Sequence, residues 1–426
     1  MIRPNDRITH VMVGYVAALL GDLDRNLAPD SLLIIEDPEV IKARKAESAV
    51  ERFACVAGVE PARTQDETDP GRLLESIVRP ERVRAVIPGG DYGAVGAAAL
   101  AQGWGLPGAG VQAARVFRDK GALRRLIDDT GIAQPDWQEV AGPDEAERFR
   151  TRHGGHCVLK PANRQASLGV QVIGPDVDMA EAWRYTADAD DVTQRARYAV
   201  HTRILAEERL VGPEYSTEAI VRQGVVLFFN ITAKQVLPGP FPIESGHVVP
   251  APGLDPDMEL ALRADTEKLV AVSGFSTGML HAEWILRGGR PHLIECAGRP
   301  PGDRIVRLID LAYHGSVIDG YVRLLAGADE LSLATTAKGG AAITFVCPPS
   351  GVVAAVSGVA ESRESPGVIE AEVTLAAGDS TVPITSSWKR RGHVLAVGDD
   401  GSHAARLAAD ALNLIEVTFD GAGVGS

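Results

Sequence analysis

Long apolar runs are missing from this chain of 426 residues, and none reaches the roughly 20 positions that a membrane-crossing helix needs. Cysteine is scarce too. Cys55, Cys157, Cys296 and Cys347 show neither metal-ligand spacing nor the density of a disulfide scaffold, so a reducing cytoplasm is the expected setting. Positive charge is in deficit: 43 Lys and Arg against 57 Asp and Glu give a formal net charge of -14. That balance argues against nucleic acid and anionic membrane as partners and points to small molecules. One phosphate-binding fingerprint is absent as well. No GxxxxGK[ST] occurs, and Gly90, Gly93 and Gly96 before and within the Ala-rich stretch are wrongly spaced for a GxGxxG fingerprint, which disfavours a Walker NTPase and a Rossmann dehydrogenase. The opening "MIRPNDRITH" lacks the charged-then-apolar pattern of a signal peptide, so the expectation is a cytosolic protein.

What is present is α/β texture. From "THVMVGYVAALL" to "GLPGAG", short apolar runs alternate with helix-compatible stretches, which predicts an N-terminal α/β domain over residues 1–112. The Ala-rich "DYGAVGAAALAQGWG" reads as a helix that either offers its first amides to an anion or simply packs, and packing is the favoured reading. "VFRDKGALRRLIDDTGIAQPDW" predicts one helix capped at Gly131. Lys120 lies near its start, where a cation opposes the helix dipole. "HCVLKPANRQASLGVQVI" reads as strand, polar loop, strand, with Lys160 closing the first strand. "EYSTEAIV" places Glu214, Ser216 and Glu218 on one strand face. The proline-rich "LPGPFPIESGHVVPAPG" predicts a rigid extended loop rather than a strand. A core over 113–331, containing a small hairpin subdomain at about 140–210, is followed by an α+β module over 332–426.

The most informative stretch is "GMLHAEWILRGGRPHLIECAGRPPGD", two apolar runs that read as one hairpin. A three-residue loop of Gly288, Gly289 and Arg290 would set Arg287 opposite Pro291, and counting outward sets Glu283 opposite Glu295. Like charges facing across strands are destabilising, so the arrangement calls for something positive between them, most simply a bound cation.

The order Lys120, Lys160, "RQASLGV", "AEERLVGPEYSTE", "HAEW" and "IECAGR" resembles the ATP-grasp superfamily of carboxylate-amine ligases. Within it, the chain looks most like the L-amino-acid ligases of the bacilysin synthetase type, which make dipeptides. The resemblance implies an ATP-grasp fold with a Rossmann-like N-terminal domain, two α+β halves that hold ATP, and a C-terminal α+β module. It further implies that Lys120, Lys160 and Lys234 meet ATP phosphates under the loop of Ser167 and Gly169. Glu207, Glu208 and Leu210 would border the adenine, and Glu214 would accept from the ribose hydroxyls. Glu283 and Glu295 would hold Mg²⁺, and the chain departs from the pattern at Ala297, which stands where an Asn ligand to a second ion is common. Glu244 and His247 would border the substrates, with His247 and Lys160 assisting the chemistry and Arg299 stabilising the developing oxyanion. The implied substrates are a small-molecule carboxylate and an amine, with a homodimer as the default assembly.

Overall fold

The computed structural model describes residues 5–199, 201–331 and 333–420. The first apolar runs form β1 (His10–Val13), β2 (Leu32–Glu36), β3 (Val56–Pro61) and β4 (Ala85–Pro88), a parallel sheet in the order β3-β2-β1-β4. Every position of β1 and β2 is buried, which is why these strands read as unbroken apolar runs rather than alternating ones. The helix Ala94–Gly103 packs tightly on this sheet: a Cβ on Gly96 would come within 3.3 Å of Val13 Cγ1 in β1 and 2.8 Å of the Thr64 carbonyl in the loop after β3.

The next unit is a four-stranded sheet of β5 (Trp137–Val140), β6 (Cys157–Pro161), β7 (Gln171–Ile173) and β8 (Ile204–Glu207), ordered β5-β8-β6-β7. Phe149, Leu159, Ile173 and Met179 give it a core of its own, so it forms a lid distinct from the rest. The helical stretch before it is not one helix. Asp119 leaves helical geometry (φ -131°, ψ 109°), ends Val111–Arg118, and accepts from the Ala122 amide to start Lys120–Ile127. That second helix stops at Ile127, so Gly131 (φ 80°) turns the chain beyond it rather than capping it.

The main sheet collects β9 (Glu214–Arg222), β10 (Val225–Val236), β11 (Glu244–Val249), β12 (Gly278–Arg287) and β13 (Arg290–Ala297). It then takes in part of the C-terminal region, which holds β14 (Gly340–Phe345), β15 (Gly351–Ser357), β16 (Val368–Val373), β17 (Ser380–Thr381), β18 (Gly392–Gly398) and β19 (Glu416–Phe419). Its order is β13-β12-β9-β10-β11-β14-β18-β16, so a cut near residue 332 runs through one continuous sheet. Alternation sends Ile220 and Met279 toward the helices Ile305–Tyr313 and Val317–Leu325, which join this sheet to the N-terminal one. Ala219, Val221, Leu280 and Ala282 go to the opposite core, under Pro256–Ser273.

Two expectations are corrected here. The proline-rich stretch is not all loop: Pro242 and Pro250 leave a proline-free window in which Glu244–Val249 pairs with β10 and β14 in mid-sheet. The hairpin loop has two residues, not three. Gly288 (φ 59°) and Gly289 (φ 73°) make a tight turn with Arg287 opposite Arg290. A bulge between Glu283 and Trp284 then absorbs one extra residue of β13 and restores Glu283 opposite Glu295.

Candidate active site

Main-sheet strands, the lid and the loop after β13 enclose a cleft of about 1040 Å³, roomy enough for a nucleotide and a second small molecule. Glu283 and Glu295 both line it. The positive charge expected between them is supplied by lysines. Lys234 Nζ donates to Glu283 Oε2 at 2.6 Å, and Lys120 Nζ lies 3.0 Å from Glu295 Oε2. Lys234 also lies 3.4 Å from Glu244 and 4.0 Å from Glu214, so one buried ammonium serves three carboxylates. Burial alone would raise the Glu283 carboxyl; Lys234 and His281 reverse this and hold it well below the usual carboxylate range. Glu214 goes the other way, raised by burial and by its acidic neighbours against the pull of Lys234.

His281, two residues before Glu283 on the same face of β12, bridges Glu218 at 3.0 Å and Glu283 at 3.4 Å. Glu218 is fully buried but accepts from Ser216, Asn230 and Thr232 as well. Burial lowers the His281 imidazole, yet hydrogen bonds to both glutamates lift it to about 9, so it is charged at neutral pH.

Lys160 emerges at the end of β6 and lies 2.6 Å from Glu207, whose carboxylate also accepts from the fully buried Arg124 at 2.9 and 3.1 Å. Burial lowers Lys160 most, Glu207 raises it, and Arg124 and Lys120 lower it again, leaving it at about 8. Glu207 is therefore a structural anchor for two cations. Glu208 donates its amide to the Asp136 carbonyl at 2.7 Å, and Leu210 follows it along the cleft wall. In the loop after β6, Ala166 (φ 55°) and Ser167 (φ 56°) line the cleft, and Ser167 donates to the Pro242 carbonyl. Gly169 (φ 75°) shapes the turn from outside the cleft, since a Cβ there would lie 2.5 Å from that of Ala189.

Beyond the carboxylate pair the cleft continues past Glu244, His247, Arg299 and Asp303. The Arg299 fork grips Asp91 of the N-terminal domain at 2.9 and 2.7 Å and donates to the Pro300 carbonyl, leaving two of its five N–H groups. Five participants escaped the sequence reading: Asp91, Arg124, His281, Asp303 and Arg390. His281 alone left a signal, its position two residues from Glu283.

No group of three or more potential metal-ligating side chains occurs among the described residues. Two opposed carboxylates suffice for Mg²⁺, which draws one or two from protein and the rest from phosphate and water. The fit is supported by the lysine beside each, which shows that both carboxylates face positive charge.

An antiparallel main sheet and a small antiparallel lid sheet that enclose a nucleotide-sized cleft are the parts of an ATP-grasp fold, and residues 154–307 match the ATP-grasp domain model. The chain thus has an ATP-grasp fold with an ATP-grasp domain at its centre, and residues 344–420 match L-amino acid ligase C-terminal domain 2. Its fold is shared with the L-amino acid ligase from Bacillus licheniformis, at a TM-score of 0.76 and 18% identity over 97% of this chain and 99% of that one. A carboxyaminoimidazole ribonucleotide synthase from Aspergillus clavatus, solved with ATP, gives a TM-score of 0.68 at 14% identity over 96% and 98% of the two chains. By sequence, the phosphoribosylamine–glycine ligase of Methanothermobacter thermautotrophicus is 26% identical over 333 residues, 72% of this chain and 73% of its own.

Proposed function

We propose that this chain joins the carboxylate of one amino acid to the amine of another, using ATP and Mg²⁺ and releasing a dipeptide, ADP and phosphate. The observation that carries the ligase reading is the pair Glu283 and Glu295, opposed in register beside Lys120 in a cleft that runs on to Glu244 and His247. The match of residues 344–420 to an L-amino acid ligase domain favours amino acids as substrates.

Lys120 and Lys160 bind the phosphates, the loop of Ser167 covers them, and Glu214 accepts from the ribose hydroxyls. Mg²⁺ held by Glu283 and Glu295 would offset phosphate charge during transfer. A substrate carboxylate oxygen attacks the γ-phosphorus, the bond from that phosphorus to the β,γ-bridging oxygen breaks, and ADP leaves an acyl phosphate. The amine nitrogen then attacks the acyl carbon, the carbon–oxygen bond to phosphate breaks, and the ammonium proton passes to His247 or water. Glu244 meets the α-ammonium group, and the two free N–H groups of Arg299 stabilise the oxyanion. Lid closure excludes the water that would hydrolyse the acyl phosphate. Four scattered thiols suit work in the cytoplasm, and a homodimer is the expected assembly.

Amino-acid pairs screened for phosphate release, with mass spectrometry of the product, test this. ADP formation that requires a carboxylate and an amine together, with a dipeptide mass, is the expected result. The relative from Methanothermobacter favours a second reading, in which glycine is joined to a phosphorylated sugar amine. Turnover only with that amine would establish it in place of dipeptide synthesis.

A further inference from the structure

Arg390 belongs to the C-terminal region, yet its guanidinium lies in the wall of the cleft. Both nitrogens of its fork donate to Asp303, one of them at 2.8 Å. It also donates to the carbonyls of Glu244 at 3.1 Å and Ser387 at 2.8 Å, and it stacks 3.7 Å from the Phe345 ring centroid. Four of its five N–H groups are thus engaged with protein, so it is not placed to bind a substrate anion as a fork.

What it grips is unusual backbone. Asp303 (φ 53°) and Arg304 (φ 60°) are consecutive non-glycine residues in left-handed geometry, a conformation that persists only where surrounding contacts hold it. The second oxygen contact of Asp303 is His247, whose Nε2 lies 3.1 Å away. His247 is 2% exposed, and its Nδ1 is buried without a hydrogen-bond partner among the described residues. An ionised Asp303 accepts only, so the proton of this contact sits on Nε2. The neighbouring Ser387 donates to Glu244 Oε2 at 2.8 Å, so the same short segment also orients the carboxylate proposed for the α-ammonium group.

We propose that Arg390 is a positioning residue of the substrate pocket: by gripping Asp303 it fixes the ring and tautomer of His247, and the C-terminal region thereby completes the site. For the identity of the substrate this rests on the ligase reading above; for the geometry it does not.

Arg390→Met, Arg390→Lys and Asp303→Asn test it in the full chain, with histidine-selective ¹⁵N NMR as a readout that needs no turnover. Wild-type His247 should show the Nε2–H tautomer, and Arg390→Met should shift that population while Mg-ATP affinity by calorimetry stays within about twofold. KM for the amino acid that supplies the carboxylate should rise about tenfold or more, Arg390→Lys should fall between, and Arg390→Met combined with Asp303→Asn should be no worse than either alone. An unchanged His247 spectrum in a folded Arg390→Met protein overturns the proposal, as does an equal loss of ATP and amino-acid affinity. If Arg390→Met does not fold, Asp303→Asn decides by the same spectrum. Should the tautomer respond in a protein that makes no amide from any amino-acid pair, the ligase reading fails and the positioning role stands.

Discussion

Glu283 and Glu295 face each other from neighbouring strands, and each is bonded to a lysine from a different element: Lys234 of β10, and Lys120 at the start of its helix. The two are unequal. Glu295 is one-third exposed, whereas Glu283 offsets a lysine whose side chain is 4% exposed. Glu295→Ala is therefore expected to fold with little loss of stability and to abolish Mg²⁺-dependent ADP release by at least about 100-fold. Glu283→Ala should lose activity and also about 3 kcal/mol of stability in urea unfolding, because part of the compensation for a buried ammonium is gone. Unimpaired turnover in Glu295→Ala would remove the metal role.

His281 gives the fold a pH dependence of known sign. Its folded value of about 9 lies above the ordinary 6.5, so its stabilisation is complete below 6.5 and is lost as pH rises through 9. At about 1.36 kcal/mol per unit, the loss across that window is on the order of 3 kcal/mol. His281→Gln should flatten the decline when urea midpoints are compared at pH 6.5 and 9, and parallel curves for the two proteins would refute the assignment.

Lys160 has the opposite sign. Its folded value of about 8 lies below the ordinary 10.5, so between those limits the unfolded chain binds more protons and this group favours folding as pH rises. Function runs against stability here, because a neutral amine binds phosphate poorly. Mg-ATP affinity is expected to fall about tenfold between pH 7 and 9, and Lys160→Met should show weak binding with no such slope in calorimetry.

Much of this site was legible because its parts obey local rules. Period-2 alternation placed Glu214, Ser216 and Glu218 on one face, and hairpin counting placed Glu283 opposite Glu295. The second success came from two departures that cancel: a shorter turn, which the pair Gly288-Gly289 does signal, and a bulge, which has no sequence signal outside its three-dimensional setting. The proline-rich segment misled because proline density was weighed over the whole stretch, when only the six positions of β11 decide pairing. The bond between Arg299 and Asp91 spans 208 residues, and no periodicity carries across such a distance. Arg390, Asp303 and His247 likewise come from three separate segments and meet only after the main sheet takes in β14 and β18.

Gly169 is a position where only glycine serves. Its φ is +75°, and a Cβ would come 2.5 Å from the Ala189 Cβ and 3.0 Å from Pro161 Cγ. Gly169→Ala must displace the loop that carries Ser167, so KM for ATP should rise about tenfold with a stability loss of about 1–3 kcal/mol. Gly154→Ala, with nothing within 4 Å but φ +68°, is the matched control for backbone strain without a clash, and its KM should stay near wild type.

Among the described residues that fasten the lid to the N-terminal domain, one does so from both polar atoms of its side chain. Gln65 donates from Nε2 to the Gln194 carbonyl at 2.7 Å and accepts from the Ala196 amide at 2.9 Å. Beside it, Tyr198 donates to Asp37 Oδ2, and Arg63 covers the Tyr198 ring at 3.9 Å. Gln65→Ala removes two hydrogen bonds of about 1 kcal/mol each, which corresponds to roughly a 30-fold gain in the open population of the 190–199 segment. When opening is fast relative to cleavage, proteolysis follows that population, so trypsin should cut after Arg195 and Arg197 about 30 times faster in Gln65→Ala. Saturating Mg-ATP should slow cleavage in both proteins if the nucleotide draws the lid shut. Equal cleavage rates in the variant and the wild type would show that the lid is held from elsewhere, with the contacts of Ser387 and Tyr185 to the opposite wall next in line.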